Sequence, residues 1–94
     1  MAPASATETS TPRYRRGVKL RFDAARGQFV LLAPEKAFVP DAIAAEILQL
    51  IDGTRSLGEI ATILAEKFDA PLDVVTRDIA SILTDLANRG AIDL

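Results

Sequence analysis

The sequence predicts an α+β domain of the winged helix-turn-helix-like type, in which a three-stranded antiparallel sheet is followed by three helices. Three observations lead to this prediction. Apolar and polar residues alternate from Val18 to Asp23, as they do in a half-buried strand. Two turn sequences divide residues 18–40 into three short strands. From Asp41 onward the apolar residues recur at helical spacing.

The first two predicted strands form a hairpin. Val18, Leu20 and Phe22 share one face of the first strand, because side chains alternate between the two faces. The turn at residues 24–27 ends in a glycine that can take a positive φ angle. Residues 28–33 are apolar on both faces, which predicts the central strand of the sheet.

The third predicted strand, residues 36–39, is an edge strand. Pro34 and Glu35 turn the chain before it, and Pro40 ends it. Because proline has no N–H to donate to a neighbouring strand, this strand is expected at the edge of the sheet with one side open.

The first two predicted helices begin at capping residues. Asp41 is the expected N-cap of the first helix, which ends at residues 52–53 (Asp-Gly). Ser56 and Glu59 have the spacing of a capping box, in which each side chain accepts from the backbone N–H of the other residue. The second helix is expected to leave Ile63 off its buried face. The residues expected on that face are Leu57, Ile60, Leu64 and Phe68.

The third predicted helix has Pro71 in its first turn, runs to about Asn88 and is capped by Gly90. Its apolar residues span about 160° of the helix surface, which is wider than one contact surface needs. They are Leu72, Val75, Ile79, Ala80, Ile82, Leu83, Leu86 and Ala87. Either both flanks of this arc pack on the core, or one flank lines a groove. Residues 91–94 are expected to add no further element.

The N-terminal region differs from the rest of the chain in composition and charge. Residues 1–16 are rich in Ala, Ser, Thr and Pro without apolar periodicity, which predicts a disordered tail or linker before a folded domain at 17–94. The net charge of −2 hides an asymmetry. Residues 1–27 carry six basic and two acidic residues, whereas residues 28–94 carry five basic and eleven acidic ones.

The composition argues against an enzyme. The chain contains no His and no Cys, so it has no imidazole base, no thiolate and no disulfide, and no metal or other cofactor is expected. Asp73, Asp78 and Asp85 are candidate acid–base groups on the third helix. Asp78 and Asp85 lie on its polar face with Arg77 and Arg89 nearby, which favours a solvated surface, since a general acid needs burial to raise its pKa.

No membrane partner is expected either. Residues 1–7 lack the basic and apolar regions of a signal peptide. No apolar run approaches the ~20 residues that cross a bilayer. The cytoplasm is therefore the expected location.

A winged-helix DNA-binding regulator is the alternative that the predicted fold raises. A recognition helix usually offers Arg or Lys to the bases and phosphates. Residues 71–90 carry two arginines against three aspartates, so this region would repel a polyanion. The basic arm with Arg13, Arg15 and Arg16 would have to offset that repulsion, and no nucleic-acid partner is expected.

An open strand edge beside an apolar helix flank is what β-augmentation requires, in which an extended peptide adds a strand and buries alternate side chains. The sequence therefore favours a peptide-binding module. Lys36 and Pro40 could instead protect the edge from association. A homodimer formed through this edge and Ile63 is a further alternative.

An ordered set of short motifs over residues 15–94 resembles the pyrroloquinoline quinone biosynthesis protein D family. These proteins are small, stand-alone peptide recognition elements of modified-peptide pathways. The "LLAPE" hairpin at residues 31–35 adds specificity to the resemblance. The other matching pieces are residues 16–20, 47–48, 51–53, 56–60 and 90–92, with Phe68, Asp78, Ile79, Ile82, Leu83 and Leu86.

The resemblance implies a chaperone without catalytic activity. Such proteins bind the ribosomal precursor peptide as an added strand against the third strand, in a cleft completed by the third helix. They present it to a radical S-adenosylmethionine enzyme, which carries the chemistry. The peptide-binding residues implied by the resemblance are Lys36, Ala37, Phe38 and Val39 on the strand and Val75, Asp78, Ile79 and Ile82 on the helix.

Overall fold

The structure, a computed structural model, describes residues 5–94. Its eight elements form a two-stranded sheet, a three-stranded sheet and three helices. In chain order they are β1 (Arg13–Tyr14), β2 (Lys19–Asp23), β3 (Gln28–Leu32), β4 (Ala37–Phe38), α1 (Ala42–Gln49), α2 (Leu57–Phe68), α3 (Leu72–Asn88) and β5 (Ile92–Asp93). The predicted α+β class is confirmed, with three helices following a three-stranded antiparallel sheet.

The three-stranded sheet has the order β2-β3-β4, with both neighbours antiparallel to the central β3. Leu20 of β2 and Phe38 of β4 both lie opposite Leu31, which is fully buried. At the β2–β3 turn, the Asp23 carboxylate accepts the N–H of Ala25 at 3.1 Å. Such an Asx turn reverses the chain locally, and β3 occupies the centre of the sheet as predicted.

The helix caps follow the sequence closely. The Asp41 carboxylate accepts the N–H of Ala44 at 2.8 Å at the start of α1. Ser56 and Glu59 form the predicted reciprocal capping box, with bonds of 3.1 and 3.0 Å. Pro71 takes the N-cap position of α3, one residue before the first turn in which the sequence predicted it.

The core lies between the sheet and the three helices. Its buried apolar residues are Val18, Leu31, Ile47, Leu48, Ile51, Leu57, Ile60, Ala61, Leu64, Ile79, Leu83, Ala91 and Ile92. Ile63 lies outside it, as expected. The prediction that Phe68 is buried was wrong, because this residue ends α2 and remains 55% exposed. Phe22 is also exposed and packs edge-to-face on Phe29, with ring centroids 5.0 Å apart.

The N-terminal segment differs from the prediction of a disordered tail over residues 1–16. Residues 1–4 lie outside the described residues, but β1 pairs with β5 and Pro12 is fully buried. The carbonyl of Ser10 accepts the N–H of Leu57 at 2.8 Å. Backbone hydrogen bonds and short strand pairing hold this segment in place without a regular apolar face. Sequence periodicity therefore does not reveal its structure.

Candidate functional site

The outer edge of β4 is open in the described part of the chain. The N–H of Ala33 donates to the carbonyl of Lys36 at 2.9 Å, which closes the hairpin. Hydrogen-bonded and non-hydrogen-bonded pairs alternate along an antiparallel ladder, so Phe38 is the next residue to bond to β3. The N–H and C=O groups of Ala37 and Val39 therefore point away from the sheet. Val39 is 62% exposed.

A groove of about 650 Å³ lies between this strand edge and α3. Phe38 and Val39 line its strand side, and Ile82 and Leu86 line its helix side. Leu31 and Leu48, both buried, are among its lining residues and connect it to the core. The remaining lining residues are Pro40, Asp41, Ala44, Ser81, Asp85 and Arg89. The groove is thus apolar along its middle and polar at its margins.

The α3 residues that line the groove lie on one flank of the helix. Ile82, Leu86 and Arg89 lie four and three residues apart and share one face of the helix. Arg89 Nε lies 3.0 Å from Asp85 Oδ2 at the rim, where both side chains are exposed. An exposed pair of this kind contributes little to stability. Because both side chains are exposed, both charged groups are accessible to a ligand.

The predicted site residues divide between two regions. Phe38, Val39 and Ile82 line the groove, and Ala37 lies on the open edge next to them. Lys36 lies at the start of the strand, with its ammonium 5.2 Å from the centre of the Phe38 ring. The cation and the ring face thus interact favourably.

The other three predicted residues line a second pocket, on the far side of α1. Val75, Asp78 and Ile79 meet Ile43 and Phe68 there, around a volume of about 360 Å³. Ile79 is 2% exposed and belongs to the core, so it offers little surface to a ligand. The wide apolar arc of α3 therefore packs on the core at its centre and lines two separate cavities on its flanks.

Sequence reasoning did not select the groove residues Leu86, Asp85 and Arg89. Leu86 was part of the predicted arc, and its position four residues after Ile82 marks the same flank. Periodicity measures the width of an apolar arc but not which flank faces the strand. That choice depends on how α3 rotates against the sheet.

Among residues 5–94, two groups that do not line the groove have clearly shifted pKa values. Tyr14 donates its hydroxyl to the carbonyl of Leu48 at 2.5 Å, and burial raises the pKa of Tyr14 to about 12. In the turn between α1 and α2, the N–H groups of Arg55 and Thr54 hold the pKa of Asp52 down at about 2. Tyr14 holds Leu48, a residue that lines the groove, whereas Asp52 organises only the turn between α1 and α2.

The groove has the two features that an added peptide strand requires. It offers outward backbone groups on one wall and apolar side chains on the other. Among residues 5–94, no three acidic side chains come together as metal ligands would. Within the same range, no helix is both long enough and apolar enough to cross a bilayer.

Comparison with known families shows the relationship of this chain. Residues 28–92 match the family model of coenzyme PQQ synthesis protein D (PqqD). A relative in Bradyrhizobium diazoefficiens, named PqqA binding protein, is 43% identical over 86 residues. This match covers 92% of the present chain and 84% of that relative.

Two solved structures share the fold. The solution NMR structure of the PqqD truncation of Methylobacterium extorquens PqqCD is 38% identical, with a TM-score of 0.86 and complete coverage of both chains. That protein is described as a functional, stand-alone recognition element for ribosomally synthesised and post-translationally modified peptides. The lasso peptide synthetase B1, solved with its leader peptide, has a TM-score of 0.76 over 90% of this chain and all of that chain. At 23% identity, it shows similarity of fold alone.

Proposed function

This chain belongs to the coenzyme PQQ synthesis protein D family, and we propose that it is a peptide chaperone of pyrroloquinoline quinone biosynthesis. It binds the ribosomal precursor peptide PqqA as an added strand along β4 and presents it to a radical S-adenosylmethionine enzyme of the same pathway. The chain supplies no catalytic group of its own. Because the precursor is made on ribosomes, this function takes place in the cytoplasm.

The observation that carries this proposal is the open edge of β4 beside the α3 groove. An added strand bonds to the outward groups of Ala37 and Val39 and turns alternate side chains toward the groove. Phe38, Ile82 and Leu86 receive these side chains. Backbone bonds then give affinity, and the apolar groove gives selectivity for the side chains that enter it.

The names of the relatives support the identification of PqqA as the ligand. The relative in Bradyrhizobium is named for binding PqqA, and the protein from Methylobacterium is described as a recognition element for modified peptides. The present chain shares its fold with the Methylobacterium protein. We therefore propose PqqA as the ligand and Lys36, Ala37, Phe38, Val39 and Ile82 as peptide-contacting residues. The proposal leaves out Val75, Asp78 and Ile79, because they line the second pocket and not the groove.

The test is a titration of the chain with synthetic PqqA, measured by isothermal titration calorimetry. We expect saturable binding with a stoichiometry of one, and no binding of a scrambled peptide with the same composition. Absence of binding by PqqA would overturn the proposal. A DNA duplex serves as a third ligand, and tight, steeply salt-dependent DNA binding would support a winged-helix regulator instead.

Presentation to the enzyme requires a second experiment. A mixture of the chain, PqqA and the radical S-adenosylmethionine enzyme should migrate as a ternary complex in size-exclusion chromatography. Crosslinking of the peptide by the enzyme should also require the chain. If the enzyme modifies PqqA equally fast without it, the chain has no presenting role.

A further inference from the structure

Three segments that are distant in sequence meet at one end of the groove. The N–H of Arg15 donates to the carbonyl of Ala91 at 3.2 Å, which ties the N-terminal segment to the end of α3. Next to it, Gly17 lies so close to the β3–β4 turn that an added Cβ atom would be 3.0 Å from Pro34 Cγ. The N-terminal segment thus packs against the residues that follow α3 and against the β3–β4 turn.

The result is a cluster of positive charge, which we call the basic cluster: Arg15, Arg16, Lys36 and Arg89. All four residues line one depression of about 330 Å³, where Glu35 is the acidic residue among the lining side chains. Asp93 lies 3.7 Å from Arg15, and Asp85 lies 3.0 Å from Arg89. Within residues 5–94, Arg16 and Lys36 form no ion pair.

The basic cluster is continuous with the groove. Phe38 and Arg89 line both cavities, so an extended chain that leaves the groove past Lys36 enters the basic depression. At the opposite end of the groove the charged residue is Asp41. A ligand lying along β4 therefore meets a positive surface at one end and a negative one at the other.

We propose that the basic cluster binds an acidic side chain of the peptide, placed next to the apolar residues that occupy the groove. This inference rests on the proposed function and adds a specificity determinant to it. A carboxylate at this position gains charge-assisted hydrogen bonds from Arg16 and Lys36. Because the two ends of the groove have opposite charge, the same contact fixes the direction of the peptide.

A peptide explains this surface better than a nucleic acid does. Glu35, Asp85 and Asp93 lie within or beside the basic cluster and would repel a run of phosphates. A single carboxylate needs only Arg16 and Lys36, the two cations of the cluster that form no ion pair within residues 5–94. The apolar groove that continues from the cluster also has no use in contacting a phosphate backbone.

The test compares two charge-reversal variants of equal net charge. The variant Arg16→Glu/Lys36→Glu alters the basic cluster, whereas the control Arg21→Glu/Arg26→Glu alters the β2–β3 hairpin on another part of the surface. We expect the first variant to bind PqqA about tenfold more weakly, mainly through slower association, and the control to bind within about twofold of the wild type. Circular dichroism and thermal unfolding verify that both variants fold. Equal losses in both variants would overturn the proposal.

Peptide variants complete the test. Replacing the acidic residues of PqqA by their amides one at a time should weaken binding to the wild type at one position. In Arg16→Glu/Lys36→Glu the same replacement should instead strengthen binding, since it removes the repulsion between the peptide carboxylate and the two introduced glutamates. If PqqA binds and no acidic residue matters, the basic cluster is not a specificity determinant while the proposed function stands. Failure of PqqA to bind at all, or preference for DNA, overturns both.

Discussion

The hydroxyl of Tyr14 donates to the carbonyl of Leu48 across 2.5 Å, joining β1 to the end of α1. Leu48 is fully buried and also lines the groove beside β4. The N-terminal segment is therefore hydrogen-bonded to a residue that lines the candidate binding site. Tyr14 is also the single tyrosine of the sequence, which contains no tryptophan, so this contact can be followed by spectroscopy.

Titration of Tyr14 tests this contact directly. Burial raises the pKa of Tyr14 to about 12 in the folded protein, against about 10 in an unfolded chain. The ultraviolet absorbance of tyrosinate should therefore appear in one step near pH 12. A step near pH 10 in a protein that remains folded would contradict the buried position.

The same pKa shift makes stability depend on pH. Below pH 10, Tyr14 is protonated in both states and its contribution is complete. Between pH 10 and 12 the unfolded chain loses the proton first, so the free energy of unfolding should fall. Tyr14→Phe removes this pH dependence and, at neutral pH, should destabilise the fold by about 1 kcal/mol through loss of the hydrogen bond. Urea unfolding at several pH values measures both effects.

The sequence predicts the elements that depend on local signals. The capping box at Ser56 and Glu59 and the position of Pro40 after an edge strand are local, and both features are present in the structure. The pairing of β1 with β5 is not local, because two-residue strands almost 80 positions apart have no periodicity. Their formation depends on the packing of Tyr14 and Pro12 against elements formed elsewhere in the chain.

The candidate site is predictable only in part, because its strand depends on local signals and its helix side does not. The edge strand follows from turns and proline placement, and its residues 37–39 lie where expected. The helix side depends on tertiary rotation. Of the four α3 residues implied by family resemblance, Ile82 lines the groove, and Val75, Asp78 and Ile79 line the second pocket.

Gly17 should tolerate alanine less well than Gly27. Both residues have a positive φ angle, which costs about 1–2 kcal/mol for alanine. An added Cβ at Gly17 also lies 3.0 Å from Pro34 Cγ, whereas nothing lies within 4 Å of one at Gly27. Urea unfolding should therefore show a larger loss for Gly17→Ala. Equal losses would mean that the N-terminal segment is not packed on the β3–β4 turn.

Val39→Pro tests strand addition. Proline removes a backbone N–H that points away from the sheet, so PqqA should bind about two- to tenfold more weakly, the range expected for one hydrogen bond. Val39→Ala is the matched control, because it shortens the side chain and keeps the N–H. If calorimetry gives the same affinity for the proline variant and the alanine variant, this N–H does not bind the peptide.

Ile82→Ala and Val75→Ala distinguish the two flanks of α3. Both side chains are half-buried, but Ile82 lines the groove and Val75 lines the second pocket. Ile82→Ala removes three carbon groups, and about half of their surface is already buried without the peptide. At about 0.8 kcal/mol for each buried methylene, the remaining loss of about 1.2 kcal/mol should weaken PqqA binding about tenfold. Val75→Ala should bind as the wild type does. If Val75→Ala weakened binding and Ile82→Ala did not, the peptide would bind in the second pocket and not in the groove.

The most direct measurement is amide chemical-shift mapping of the chain during titration with PqqA. Binding as an added strand should shift the amide signals of residues 37–39 on β4 and of residues 82–89 on α3. The signals of Ile43 and Phe68, around the second pocket, should stay in place. An unchanged spectrum at saturating peptide, or changes confined to the second pocket, would contradict peptide binding along β4.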